Sequence, residues 1–107
     1  MKRFLHSETG ERGWYIGPFE RAIFRTDACE VAYQYNRSGE RSPAHTHRVA
    51  KEINLITAGK VCVSGETFGP GQGFIMEPGD ICECLYLEDT QTVVVKVPGV
   101  SNDKYLV

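Results

Sequence analysis

The chain has 107 residues, enough for one domain with a buried core and too few for two. Its 12 basic and 14 acidic residues are scattered and leave a formal net charge of −2, so no basic stripe marks a nucleic-acid footprint and nucleic acid is not expected as a partner. No apolar run is long enough to cross a bilayer, and the start, MKRFLHSETGERG, lacks the apolar middle of a signal peptide; the expectation is a soluble cytoplasmic protein with no membrane partner and with Cys29, Cys62, Cys82 and Cys84 as reduced thiols.

The first stretch, Met1 to Gly17, places Gly10, Gly13 and Gly17 around Trp14, the only tryptophan, and reads as an extended, turning segment. Trp14, Tyr15 and Phe19 have the bulk to plug the end of a barrel, seal a subunit seam or cover a ligand mouth. From Cys29 to Tyr35 the residues Val31, Tyr33 and Tyr35 alternate with Ala32 and Gln34, which predicts a strand with one apolar, aromatic face. With that face turned inward, Tyr33 and Tyr35 would line a cavity, each packing a ring and offering a hydroxyl; the competing reading makes them ordinary core tyrosines.

The turn at Asn36 to Gly39 leads into GERSPAHTHRVAKEINLITAG, Gly39 to Gly59. His45 and His47 are one residue apart, so on an extended strand they point to the same side, about 7 Å apart along the backbone. Glu52 lies past a short turn, on a strand running to Ala58, and can lean back toward the two imidazoles. Two histidines and a carboxylate on one face can grip a metal ion. Asn54 shares the strand face of Glu52 and is a second polar group for the same space.

Further strands follow over Lys60 to Ser64, Phe74 to Met76 and Ile81 to Leu87, separated by Gly- and Pro-rich turns about every ten residues, and no apolar pattern of helical period persists. In the third of these Cys82, Cys84 and Tyr86 share one face. Facing the histidines, Cys82 can be a fourth, sulfur ligand; buried as a neutral thiol, it leaves three protein ligands and an open position. Thr92 to Val97, TVVVKV, is rich in β-branched residues and predicts a last strand in a sheet.

The two signatures Gly39 to Gly59 and Gly71 to Cys82, GQGFIMEPGDIC, resemble those of the cupin superfamily, with Gly39, His45, His47, Glu52 and Gly59 filling the first in register. In the second, Glu77 stands where a proline is usual and Cys82 where a fourth metal-binding histidine is usual. The resemblance implies an all-β fold, the cupin-type double-stranded β-helix or jelly-roll barrel, in a small single-domain protein. It divides the chain into residues 1–30, an arm and first strands packing on the barrel or a partner subunit, and residues 31–107, the barrel. It also implies a divalent metal ion (zinc, iron, manganese or nickel) at His45, His47, Glu52 and Cys82, a small-molecule ligand near Tyr33, Tyr35, Asn54 and Tyr86, and a homodimer.

Three functions remain open at this level. The first is a metal site that binds, and in an enzyme transforms, a small polar molecule. The second is a metal-free enzyme resembling sugar-nucleotide isomerases and epimerases, with His45 or His47 as base and Tyr33, Tyr35 or Tyr86 as acid. The third is a non-catalytic binding or sensing module.

Overall fold

In a computed structural model describing all 107 residues, eleven strands follow a single 3-10 turn at His6–Glu8. They are β1 (Trp14–Gly17), β2 (Phe24–Arg25), β3 (Glu30–Asn36), β4 (Arg41–Thr46), β5 (Lys51–Ala58), β6 (Val61–Val63), β7 (Glu66–Phe68), β8 (Gly73–Met76), β9 (Cys82–Tyr86), β10 (Thr90–Val97) and β11 (Tyr105–Leu106). No helix is long and apolar enough to cross a membrane, which says nothing of strands. The strands form a six-stranded sheet in the order β2-β1-β3-β10-β5-β8 and a five-stranded sheet in the order β11-β4-β9-β6-β7. Successive chain segments alternate between the two, so each sheet gathers strands distant in sequence, as in a jelly roll.

The β-branched run of β10 sits between β3 and β5 and is the centre of the larger sheet. Val93 pairs with Tyr33 on one side and Leu55 on the other, and Val95 with Val31 and Ile53. The inner faces enclose two different fillings. At one end Ile56, Val61, Val63 and Cys84 form the buried apolar cluster, with Phe68, Phe74, Cys82 and Tyr86 packed against it. Burying an aliphatic side chain such as Ile56 contributes about 1.5–3 kcal/mol. The other end is polar, with buried Glu30, His45, His47, Asn54, Thr92, Lys96 and Asp103.

The first strands belong to the barrel itself. Strand β1 pairs with β3 in the larger sheet, and β2 pairs with β1. The arm before them folds back on the outside, where His6 Nε2 donates to the Gly13 carbonyl at 2.8 Å and its ring meets Tyr15 and Tyr33 edge-on. Of the segment Phe19 to Phe24 only its end is strand. The chain's last strand, β11, adds to the free edge of β4, with Tyr105 opposite Thr46 and Leu106 opposite His45, and Tyr105 carries the Arg48 guanidinium 3.9 Å above its ring. That edge is thereby covered.

Candidate metal and ligand site

The polar end opens into a cavity of about 640 Å³, lined by residues of both sheets. On the larger sheet the lateral pairings place Glu30, Lys96, Glu52 and Met76 in one row across β3, β10, β5 and β8. The next row inward holds Ala32, Val94, Asn54 and Phe74. From the smaller sheet come His45 and, just past the end of β4, His47, with Cys82 on β9 in register with His45.

His45 and His47 stand with ring centroids 5.5 Å apart, nearly perpendicular. Each is oriented by a backbone carbonyl. His45 Nδ1 lies 2.9 Å from the Pro43 oxygen, and His47 Nδ1 lies 2.8 Å from the Asp103 oxygen. A carbonyl only accepts, so both Nδ1 atoms carry hydrogen, and the ligating chemistry of both rings is left to Nε2. His47 Nε2 then meets Glu52 Oε2 at 2.8 Å, while Glu52 Oε1 accepts from the Asn54 amide at 3.2 Å. His45 Nε2 has no protein partner.

The electrostatics follow from these contacts. Its hydrogen bond to Glu52 outweighs burial and raises the pKa of His47. Burial pushes Glu52 up, but the His47 and Asn54 bonds prevail and hold it below the usual carboxylate range. The bond thus favours the charged form of each partner, with one proton between His47 Nε2 and Glu52 Oε2. For His45 burial dominates and lowers the pKa, so its ring is neutral with a lone pair on Nε2. Burial also raises the thiols of Cys82 and Cys84, the latter to about 11, and raises the Tyr86 hydroxyl.

Asp103 supports the site from the C-terminal segment. Its carboxylate, only 3% exposed, accepts the N–H groups of Arg48, Val49 and Ala50, which form the turn between His47 and β5. Sequence reasoning missed it, because nothing in VSNDKYLV sets this aspartate apart from a solvated one. It also missed Lys96 and Glu30, although the pattern held a signal: Lys96 follows Thr92 and Val94 on the alternate positions of β10, an inward place for a cation.

Of the residues expected at the site, the structure brings His45, His47, Glu52, Asn54, Cys82 and Tyr86 to the one cavity. Tyr33 and Tyr35 are a correction. They lie on the outer face of β3, 39% and 59% exposed, with their hydroxyls on Gln91 and Asp89. Ala32, without any exposure, together with Glu30 and Gln34 makes the inner face instead. At this level the barrel is filled by Trp14, whose partner in register is Ala32, and a tyrosine in place of the alanine would collide with it. Trp14 and Phe19 line the cavity, as bulky residues of the first segment can.

No protein-family model matches the sequence, and no curated protein does. Solved structures are similar throughout. An uncharacterized conserved protein with a double-stranded β-helix domain from Klebsiella pneumoniae superposes with a TM-score of 0.73 at 16% identity, covering 99% of this chain and 91% of that one. KdgF from Halomonas sp. gives 0.67 at 20% identity over 72% of this chain and 74% of its own, and a cupin-2 domain containing protein from Shewanella frigidimarina gives 0.60 at 11% over 70% and 76%. The fold is that of the cupins. In this cupin barrel the first signature supplies His45, His47 and Glu52 to the cavity, and the second supplies Cys82 opposite His45.

His45, His47, Glu52 and Cys82 are donors of the types that divalent metals take. No three His, Cys, Asp or Glu side chains are assembled with metal-ion geometry here, and His47 Nε2 and Glu52 Oε2 bond each other at 2.8 Å. Yet the rings are anchored as metal-ligating histidines are, with Nδ1–H on a carbonyl behind each, and Glu52 is steadied by Asn54; His45 Nε2 is free, and His47 Nε2 becomes a donor once its proton with Glu52 leaves.

Proposed function

We propose that this small cupin holds a divalent metal ion with His45, His47 and Glu52, with Cys82 as fourth ligand, and binds a small polar molecule in the adjoining cavity. The observation that carries the reading is the pair of carbonyl-anchored imidazoles, since such anchoring presets both rings for ligation and makes them more basic. When bound, the metal supplies a Lewis acid that polarises an oxygen of the ligand. The chain's own groups do the rest: Asn54 holds Glu52, Asp103 holds the His47 turn, and Tyr86 offers a hydroxyl at the apolar end of the cavity. The cavity volume suits a small molecule.

The test is metal content and calorimetric zinc titration of the wild type beside Glu52→Ala and Cys82→Ala. About one metal per chain, weakened by each change, is the expected result. No uptake of zinc, iron, manganese or nickel by the folded wild type overturns the reading. The neutral His45 and the shared proton of His47 and Glu52 favour a second reading in that event, acid–base chemistry with His45 as base.

Two expectations remain as proposals. The four cysteines are free, which suits a reducing, cytoplasmic setting. A homodimer would use the outer face of the larger sheet, where Tyr33, Ile53, Leu55 and Ile75 are 39–55% exposed on neighbouring strands. Light scattering on the wild type and on Ile53→Lys/Ile75→Lys tests it; a wild-type monomer refutes it.

A further inference from the structure

Lys96 and Glu30 form an ion pair inside the cavity, 8% and 9% exposed, with Nζ 3.4 Å from Oε2. The pair is incompletely bonded. No hydrogen bond engages the Lys96 ammonium, and Glu30 Oε2 is buried with no hydrogen-bond partner. Taking two charges out of water costs several kcal/mol for each ion, repaid only when the remaining donors and acceptors are satisfied. Here the Lys96 ammonium and the Glu30 carboxylate are held side by side, in register on β10 and β3, and both residues line the cavity, with Oε2 itself enclosed. Beside them the Trp14 ring stands with its centroid 5.4 Å from Nζ, an apolar face next to the charged pair. On the other flank Lys96 is in register with Glu52, so this group adjoins the metal ligands.

We propose that Lys96, Glu30 and Trp14 are a subsite for a vicinal diol, so that the cavity takes a small polyhydroxylated molecule such as a sugar or sugar acid. One hydroxyl oxygen accepts from the Lys96 ammonium, the neighbouring hydroxyl donates to the Glu30 carboxylate, and the C–H face of the carbon skeleton lies on Trp14. Other ligand classes suit the place poorly. At Lys96 a bare carboxylate meets Glu30 and Glu52, in register on either side, an amine meets the Lys96 ammonium, and an apolar ligand leaves the pair desolvated and unbonded. This assignment rests on the reading of the cavity as a ligand site but not on any metal in it.

Trp14 is the only tryptophan, so its emission reports directly on the subsite. The protein, with and without zinc, is titrated with D-glucose, D-mannitol and D-gluconate as diol probes, and with succinate and butylamine as charged probes without hydroxyls. A saturable change with a diol probe, and none with succinate or butylamine, is expected. Lys96→Met and Glu30→Gln should each weaken that binding by about 10-fold or more, the effect of losing a hydrogen bond to a charged group, in the zinc-free protein as well as in the zinc-loaded one. The double variant Lys96→Met/Glu30→Gln leaves no unpaired buried charge and serves where a single variant does not fold. The assignment is overturned by a folded wild type that shows no saturable response to any diol probe, by tighter binding of succinate or butylamine, or by a double variant that binds the diol as the wild type does. Failure of the metal reading shows separately, in the zinc titration alone.

Discussion

The backbone carbonyl of Asp103 accepts the Nδ1–H of His47 at 2.8 Å, while the Asp103 carboxylate collects the N–H groups of Arg48, Val49 and Ala50 at 2.8–3.2 Å. One residue of the C-terminal segment thus orients a candidate metal ligand and ties down the turn that separates it from Glu52. Burial would push the Asp103 carboxyl up, but the three N–H donors outweigh it and hold it below the usual range.

Asp103→Ala should therefore lower stability by about 3 kcal/mol, since three backbone donors, that of Ala50 buried, lose a charged acceptor. It should also weaken zinc binding by about 10–100-fold, the usual effect of removing a group that orients a ligand. Urea denaturation and calorimetry measure the two effects. Asp103→Asn keeps one acceptor oxygen and should fall between; a variant as stable as the wild type would show that the turn holds itself.

The two glycines that bound the first signature should respond differently to alanine. Both have positive φ, +91° at Gly39 and +87° at Gly59. A Cβ on Gly39 meets nothing within 4 Å, so Gly39→Ala carries only the left-handed strain of about 1–2 kcal/mol. A Cβ on Gly59 runs into the Asp89 carbonyl and into Thr90, whose hydroxyl bonds the Lys60 backbone, so the hairpin has to move. Thermal unfolding should show a clearly larger loss for Gly59→Ala, and equal losses would contradict this packing.

Cys82 and Cys84 share a strand face yet should differ in chemistry. Cys84 is in the apolar cluster with its thiol raised to about 11, so a maleimide at about pH 8 should modify it only after denaturant is added. Cys84→Ser puts a hydroxyl without a partner into that cluster and should cost about 1–3 kcal/mol. Cys82→Ala should leave the fold intact and change zinc affinity instead.

The pair on the outer face gives a pH dependence with two limbs. The Ser38 N–H and the Tyr35 hydroxyl hold the Asp89 carboxyl below its ordinary 3.8, so this contact stabilises the fold above that pH and its contribution is lost as pH falls through the lowered value. The hydrogen bond to Asp89 in turn raises the Tyr35 phenol above its ordinary 10.0, so its contribution is present below that pH and is lost as pH rises through the raised value. Both groups are in solvent, which keeps the effect on stability small. NMR titration of Tyr35→Phe should move the Asp89 pKa upward without restoring it fully, because the Ser38 N–H remains. An unchanged Asp89 pKa would dismiss the contact.

The chain's local order was legible in its residues because it rests on local rules. Turn glycines and prolines at intervals of about ten residues, the His-x-His pair and its carboxylate, and the β-branched run of β10 are properties of neighbours, and they yield strands, an all-β barrel and three residues at one place. Even the face of β9 that carries Cys82, Cys84 and Tyr86 follows from alternation by two.

Which side of a strand looks inward is not a local property. For β3 the usual preference of apolar residues for the interior points the wrong way, because this strand borders the polar end of the cavity and carries its tyrosines outside. Glu30, Ala32 and Gln34 face in and Tyr33 and Tyr35 face out, with Trp14 in register beside Ala32. The same holds for the contacts that set the site's chemistry. Asp103 stands 56 residues from His47, Lys96 belongs with Glu30 only because β10 lies beside β3, and the direction of both imidazoles is set by carbonyls that spacing does not reveal. Strand periodicity and ligand spacing are written along the chain, whereas sidedness, pairing and proton placement depend on neighbours that only folding brings near.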